Sequence, residues 1–187
     1  MIIARKITAA VMTFAMVAGC VDADQQGKAD VTESGSQLSP IILQADGVAQ
    51  GESMDFPYGT EKLQVITMLE LFGPVSENTN EECGAGPMDF LSSSATGLTL
   101  NFQEGQLVGW FFDGHGKSTR TAQDISVGST RAALEVAMPI ELQTDSTLGI
   151  EFFSDFGDDG FIGGFLTGEG EGATVESLYA GTNCFFR

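Results

Sequence analysis

Few residues of this chain could perform nucleophilic catalysis or hold a transition metal. His115 is the single histidine of the 187 residues, and glycines flank it at positions 114 and 116. A serine or cysteine nucleophile needs an adjacent base, and zinc sites draw on several histidines or cysteines. We therefore assign no catalytic residue, no metal ligand and no cofactor from the sequence.

Acidic side chains are the remaining source of chemistry, with 26 Asp and Glu residues against eight Lys and Arg. Two neighbouring carboxylates can serve as general acid and base, so a hydrolytic enzyme that uses acidic residues is one hypothesis. Three aspartates fall within residues 155–160. Counted from Asp155, an EF-hand-type calcium loop would need oxygen ligands where Gly157 and Leu166 stand. The segment is therefore predicted to be a hairpin turn, with weak calcium binding as an open alternative.

The first 19 residues have the features of an export signal. Arg5 and Lys6 precede an uncharged run, residues 7–18, that is too short to span a membrane. The Val-Ala-Gly-Cys segment that ends at Cys20 resembles the lipobox of bacterial lipoproteins. That resemblance implies a signal peptide over residues 1–19, a diacylglycerol on the Cys20 thiol and an anchored location in the bacterial cell envelope. The alternative is an ordinary secretory signal with a spare cysteine at its end.

The residues after the anchor indicate where the protein is sorted. Val21 follows Cys20, and by resemblance to enterobacterial sorting a residue other than Asp favours the outer membrane or the cell surface. Residues 20–38 are polar and rich in Asp, Gln, Gly and Ser. This composition predicts a disordered tether between the anchor and a folded domain.

The charge of the mature chain restricts its partners. The signal peptide holds two of the eight basic residues and no acid, so six basic residues stand against 26 acidic ones, a formal charge of −20. A charge of this sign and size argues against nucleic acid as a partner. The expected partners are the membrane, through the lipid anchor, and a protein or another envelope component.

Two cysteines remain once Cys20 carries lipid. In an oxidising exported compartment, the even pair of Cys83 and Cys184 predicts one disulfide. It would close a loop of about a hundred residues, which the chain-entropy model values at roughly 4 to 5 kcal/mol.

Two helices are predicted from the periodicity of apolar residues. The first would begin at an N-cap at Thr60 and end at Gly73-Pro74. The second would lie between an N-cap at Ser129 and Pro139. The apolar stripe of the first helix would consist of Leu63, Ile66, Leu69 and Phe72.

Two antiparallel hairpins account for the clearest strands, one over residues 97–112 and one over residues 148–166. Residues 75–86 are predicted to be an acidic loop. The expected fold is a single α+β domain over residues 39–187, in which an antiparallel sheet carries two helices on one face. A helix followed by a hairpin occurs twice, which suggests a tandem repeat.

The first hairpin is predicted to close with a two-residue turn at Glu104-Gly105. Every second residue of its first strand is apolar, as in a half-buried strand. Strict pairing from the turn would place Phe102 opposite Leu107 and Leu98 opposite Phe111, on one apolar face.

That register leaves Val108, Trp110 and Phe112 on the opposite face. If both helices cover the more continuous apolar face, these three residues would form an open binding surface, because aromatic side chains often anchor interfaces. The alternative is that the carboxy-terminal segment or the second hairpin covers Trp110 and makes it part of the core.

Three motifs carry a resemblance to a group of bacterial envelope proteins. They are Cys-Gly-Ala-Gly at residues 83–86, Phe-x-x-Gly-x-x-x-Gly-Trp at 102–110 and Ala-Gly-Thr-x-Cys-Phe at 180–185. The resemblance implies no activity. At the level of fold, the helix-plus-hairpin repeat resembles the beta-lactamase inhibitor proteins and the small outer-membrane assembly lipoproteins, an analogy that says nothing about function.

The hypothesis from the sequence is an exported, lipid-anchored envelope protein with a non-catalytic binding role, and the alternative is the hydrolytic enzyme. An open sheet face that bears aromatic side chains would favour binding. A pocket with two facing carboxylates of raised pKa would favour the enzyme.

Overall fold

The structure, a computed structural model, describes residues 38–114, 118–143 and 145–185. The predicted signal peptide, the predicted lipid-attachment residue Cys20 and the predicted tether up to residue 37 lie outside the described residues, as does His115.

The described residues form two sheets and two helices. The small sheet contains β1 (Ile41–Gln44), β2 (Gly47–Gln50), β3 (Met54–Pro57) and β8 (Thr119–Thr121). The large sheet contains β4 (Val75–Asn80), β5 (Met88–Ser93), β6 (Leu98–Gln103), β7 (Gln106–Phe112), β9 (Glu141–Gln143), β10 (Ile150–Asp155), β11 (Phe161–Leu166) and β12 (Val175–Gly181). The helices are α1 (Lys62–Glu70) and α2 (Arg131–Ala137).

The strand order of the large sheet is β4-β5-β6-β7-β12-β11-β10-β9, and its neighbouring strands are antiparallel. The small sheet has the order β3-β2-β1-β8, in which β1 and β8 are parallel. The predicted α+β fold is therefore wrong, because two sheets dominate the domain and the helices are short. The predicted repeat is wrong as well, because four strands of the large sheet follow each helix, not one hairpin.

A β-bulge in the central hairpin changes which residues face the core. Near the turn, β6 and β7 pair as predicted, with Phe102 opposite Leu107. The register then shifts between Asn101 and Phe102, so that Leu98 lies opposite Phe112, one residue further along β7 than expected. An extra residue in one strand reverses the alternation of its side chains beyond the bulge.

This reversal overturns the predicted binding surface. Trp110 and Phe112 are fully buried, and Val108 is half-buried. The indole Nε1 of Trp110 donates a hydrogen bond to the carbonyl oxygen of Gln44 at 2.8 Å. Strand β1 therefore covers Trp110, where the alternative prediction had expected the carboxy-terminal segment or the second hairpin.

Both helices contribute to the same core as the two sheets. α1 begins after an N-cap at Glu61, one residue later than the predicted Thr60, and Leu63 of the predicted stripe is 75% exposed. α2 begins after Thr130, whose hydroxyl accepts a hydrogen bond from the amide of Ala133. The buried helical residues are Val65, Met68, Leu69 and Leu134.

The core lies between one face of the large sheet and a layer formed by the small sheet and the helices. Residues from β1, β2, α1, α2 and the inner face of the large sheet belong to one continuous apolar cluster. We call the opposite face of the large sheet its outer face.

Candidate binding site on the outer face of the large sheet

Seven aromatic side chains lie on the outer face. Phe111 is opposite Tyr179, Tyr179 is opposite Gly163, and Gly163 is opposite Phe153. Residues paired in this way across neighbouring strands point to the same side of a sheet. We call the whole set the outer aromatic face; it consists of Phe90, Phe111, Phe153, Phe161, Phe165, Tyr179 and Phe185.

Six of these rings form a connected layer with centroid separations of 4.9 to 6.4 Å. Most of the contacts are edge-to-face, the arrangement that the ring quadrupole favours. Phe185 follows β12 and packs against Tyr179 at 4.9 Å. Phe161 is 38% exposed, whereas Tyr179 is buried beneath its neighbours. The layer is therefore partly accessible to solvent.

Tyr179 fixes the centre of the layer. Its hydroxyl donates a hydrogen bond to Glu151 Oε1, and both side chains are buried. Gly163 makes room for the ring, since a Cβ at that position would lie 2.5 Å from the Tyr179 Cζ atom. A larger residue at position 163 would displace the ring on which Phe185 and Phe165 pack.

A cleft of about 290 Å³ opens at one end of the outer aromatic face. It lies between β4, β5, β6, β7 and the segment after β12. Its lining is mostly apolar, and none of the described residues that line it is charged. The lining residues are Asn80, Phe90, Thr99, Asn101, Phe111, Asn183, Cys184 and Phe185.

Asn101 is the most buried polar residue of the cleft, with 1% of its surface exposed. Its Nδ2 donates hydrogen bonds to the carbonyl oxygen of Thr182 and to Asn183 Oδ1, both at 2.9 Å. These bonds hold the segment after β12 against the sheet. The Oδ1 atom of Asn101 is buried and has no donor within the described part of the chain.

Cys83 and Cys184 are brought together beside the cleft. The Cys184 thiol interacts with that of Cys83, and Asn80 Nδ2 donates a hydrogen bond to Cys184 Sγ at 3.6 Å. Burial, followed by the interaction with Cys83, raises the pKa of Cys184 from 9.0 to about 11. Both thiols are free and the sulfur atoms are not at the distance of a disulfide. A thiol with this pKa is largely protonated at neutral pH and is a poor nucleophile.

The signal that separates Phe111 from Trp110 was present in the sequence as Gly109. A glycine inside a strand often marks a bulge or a close backbone approach. A Cβ at Gly109 would lie 2.2 Å from the carbonyl oxygen of Thr182. Of the neighbouring aromatic residues, Phe111 lines the cleft, whereas Trp110 and Phe112, both predicted to bind, lie in the core.

Acidic residues form no comparable centre in the described part of the chain. A second cleft, of about 240 Å³, includes Asp46 and Asp159 in its lining. Burial and the nearby Asp46 carboxylate together raise the pKa of Tyr58. Among the described residues, no three His, Cys, Asp or Glu side chains are grouped so as to hold a metal ion.

The prediction of a hairpin turn at residues 155–160 is confirmed. β10 and β11 pair on either side of it, and a 3-10 turn spans Gly157–Asp159. Asp155 Oδ1 accepts a hydrogen bond from the amide of Gly157 at 2.8 Å. This carboxylate stabilises the turn itself.

Comparison with protein-family models, with curated proteins and with solved structures gives no match for this chain. No helix in the described ranges is both long and apolar enough to cross a bilayer.

Proposed function

We propose that this protein is exported to the bacterial cell envelope, is anchored by lipid at Cys20 and binds a protein partner through its outer aromatic face. The role is non-catalytic. The observation that supports the proposal is a partly exposed layer of aromatic rings on a sheet whose other face is covered by the core. Interfaces are enriched in such side chains because they supply a large contact area with few rotatable bonds.

The charge distribution supports the same proposal. The mature chain carries a formal charge of −20, yet the described residues that line the cleft are uncharged, and Glu151, at the centre of the layer, is buried and bonded to Tyr179. Exposed charges keep a protein soluble, whereas binding surfaces are depleted of them at their centre. The uncharged aromatic face is thus the part of the described domain best suited to contact.

Site-specific crosslinking in envelopes tests the proposal. A photoreactive residue in place of Phe161 should capture one partner protein, and the same residue in place of Leu63 serves as the matched control, because Leu63 is exposed on α1. Capture at Phe161 should fall when Phe153→Ala is added in the layer. Equal capture at both positions would overturn the proposed binding face. Hydrolysis by the purified protein that is lost in Asp46→Asn would favour the hydrolytic enzyme instead.

A further inference from the structure

The sheet holds the segment after β12 at its beginning but not throughout its length. The carbonyl oxygen of Thr182 and the Oδ1 atom of Asn183 both accept hydrogen bonds from Asn101 Nδ2 at 2.9 Å. The next two residues, Cys184 and Phe185, belong to no helix or strand. They therefore lie just beyond the point at which the sheet fixes this segment.

The sulfur atom of Cys184 lies against the loop after β4. It accepts a hydrogen bond from Asn80 Nδ2 at 3.6 Å and interacts with the Cys83 thiol and with the backbone amide of Gly84. Cys83 is buried, and its carbonyl oxygen accepts a hydrogen bond from the amide of Gly86 at 2.9 Å. Of the two cysteines, Cys184 is thus the one on the less constrained part of the backbone.

A disulfide between these two cysteines requires a movement of the backbone. The two sulfur atoms are not at disulfide distance, whereas bonded sulfur atoms lie about 2 Å apart. Because Cys184 is the less constrained residue, it is the one that shifts, toward Cys83 and the loop after β4. Asn183 is held by the sheet, so the shift passes to the other neighbour of Cys184, which is Phe185.

Phe185 covers the centre of the outer aromatic face. Its ring packs edge-on against Tyr179 at 4.9 Å and also contacts Phe165 at 6.0 Å and Phe111 at 6.2 Å. Tyr179, on β12, is only 3% exposed. In the large sheet β4 is separated from β12 by three strands. A shift toward the loop after β4 therefore takes the Phe185 ring away from Tyr179.

We propose that Cys83 and Cys184 form a redox switch that uncovers Tyr179 at the centre of the outer aromatic face. In the dithiol form, which the structure shows, Phe185 covers Tyr179. In the disulfide form, Phe185 shifts off that ring and the aromatic surface open to a partner is larger. A local thiol change thus alters a distant contact surface. As a regulation of partner binding, this inference rests on the proposed function.

A disulfide oxidant drives the switch by thiol–disulfide exchange. One cysteine thiol of the pair loses its proton and attacks the oxidant R–S–S–R, which releases one R–SH and leaves a mixed disulfide. The second cysteine attacks that mixed disulfide, releases the second R–SH and completes the bond. The cysteine pair loses two electrons, the oxidant gains them, and the two thiol protons end on the two released thiols. An excess of a thiol reductant reverses both steps.

Fluorine NMR of the full chain tests the switch without a partner. The sequence contains two tyrosines, so 3-fluorotyrosine gives two signals, and Cys20→Ser leaves only the Cys83 and Cys184 thiols to react. Glutathione disulfide should shift the Tyr179 signal and increase its solvent isotope shift, and dithiothreitol should reverse both changes. The Tyr58 signal should stay constant, because that ring packs against the core.

Two variants assign the effect to this segment. Cys184→Ser should abolish the response to the oxidant, whereas Phe185→Ala should expose Tyr179 under reducing and oxidising conditions alike. An unchanged Tyr58 signal shows that each variant is folded. The inference is overturned if the oxidant produces no linked peptides of Cys83 and Cys184, or if complete oxidation leaves the Tyr179 signal where it was.

Crosslinking in envelopes separates this inference from the proposed function. Capture at Phe161 should fall when dithiothreitol reduces the parent, and in Cys184→Ser it should stay at the reduced level with or without the reductant. Capture that is insensitive to reduction in the parent would overturn the switch, while the proposed function stands. If no partner is captured in either state but the Tyr179 signal responds, the proposed function falls and the redox-driven shift of Phe185 stands.

Discussion

At the scale of single residues, the contact between Gly109 and Thr182 decides which aromatic rings are available for binding. The amide of Thr182 donates to the carbonyl oxygen of Val108 at 2.8 Å, and only a residue without a Cβ tolerates the approach of Thr182 at position 109. β7 has apolar side chains on both faces, so neither the strict hairpin register nor the bulged register would place a row of polar side chains in the core. The bulge is set by a contact distant in sequence and could not be derived from local alternation.

Trp110 gives a direct test of this placement. Because its ring is fully buried and its Nε1 is hydrogen-bonded to Gln44, Trp110→Ala should lower the free energy of unfolding by about 3 to 5 kcal/mol. The matched variant Leu63→Ala removes a side chain that is 75% exposed and should cost under about 1 kcal/mol. Denaturant unfolding measures both, and emission from Trp110 should be blue-shifted. Similar losses in the two variants would contradict the bulged register.

The raised pKa of Cys184 predicts a pH-dependent stability in the reduced protein. The folded chain holds the thiol proton more tightly than the unfolded chain, whose thiol has a pKa near 9.0. This contribution to stability is complete below pH 9.0 and is lost as the pH rises through about 11.

Unfolding in a reducing buffer across that window should therefore show a steeper loss of stability in the parent than in Cys184→Ser. The variant corrects for the other groups that titrate there, including Tyr58. Parallel curves for the two proteins would contradict a Cys184 thiol that is partly buried beside Cys83.

At the scale of secondary-structure elements, strands with strong local signals were predictable and edge strands were not. The hairpin of β10 and β11 and the turn between β6 and β7 agree with the sequence, and Glu104 and Gly105 have positive φ angles of 51° and 78° as a tight turn requires. β4 was predicted as a loop because it is polar on both faces. A strand at the margin of a sheet needs no apolar row, so periodicity does not reveal it.

The segment after β12 is the element on which the cleft depends, and a disulfide would tie it to the loop after β4. The Cys83 and Cys184 thiols interact in the structure but are not at disulfide distance, so bond formation requires the sulfur atoms to approach and a disulfide oxidant, which an oxidising exported compartment would supply. We predict that protein recovered from its native envelope contains a bond between Cys83 and Cys184, detectable as linked peptides in a non-reduced digest.

Reduction of that bond should lower the free energy of unfolding by up to about 4 to 5 kcal/mol. Cys83→Ser should remove the difference between reducing and oxidising conditions. Free thiols at both positions in natively exported protein would refute the prediction.

At the scale of the whole molecule, the layer that covers the large sheet differs from the predicted one. The sequence predicts a sheet with two helices on one face, whereas one face of the large sheet is covered by the two short helices together with the small sheet. The covering layer includes a second sheet whose strands are only three or four residues long. Such short strands carry too few alternating residues to be recognised, and the parallel pairing of β1 with β8 joins residues far apart in sequence.

The candidate site was predictable in kind but not in position. An aromatic sheet face follows from the 14 phenylalanines and the alternating strands, whereas the cleft requires the bulge and the segment after β12 together. Both are tertiary contacts between distant parts of the chain.

The proposed lipid anchor at Cys20 would be the property of the whole molecule that most affects how the outer aromatic face acts. A protein held on a membrane meets partners within reach of its tether, which raises their effective concentration.

The Val-Ala-Gly-Cys segment predicts that Cys20→Ser leaves the precursor unprocessed and releases the protein from the outer membrane or cell surface into the soluble fraction. Fractionation and mass spectrometry of the amino terminus measure both effects. The matched control Cys83→Ser should remain membrane-bound, because it alters a thiol within the folded domain. Membrane retention of Cys20→Ser together with an unmodified amino terminus in the parent would show that no acyl chain is attached there. Without an acyl chain, crosslinking at Phe161 should be equally efficient in the parent and in Cys20→Ser. With the anchor in place, the parent should capture its partner more efficiently than the released variant.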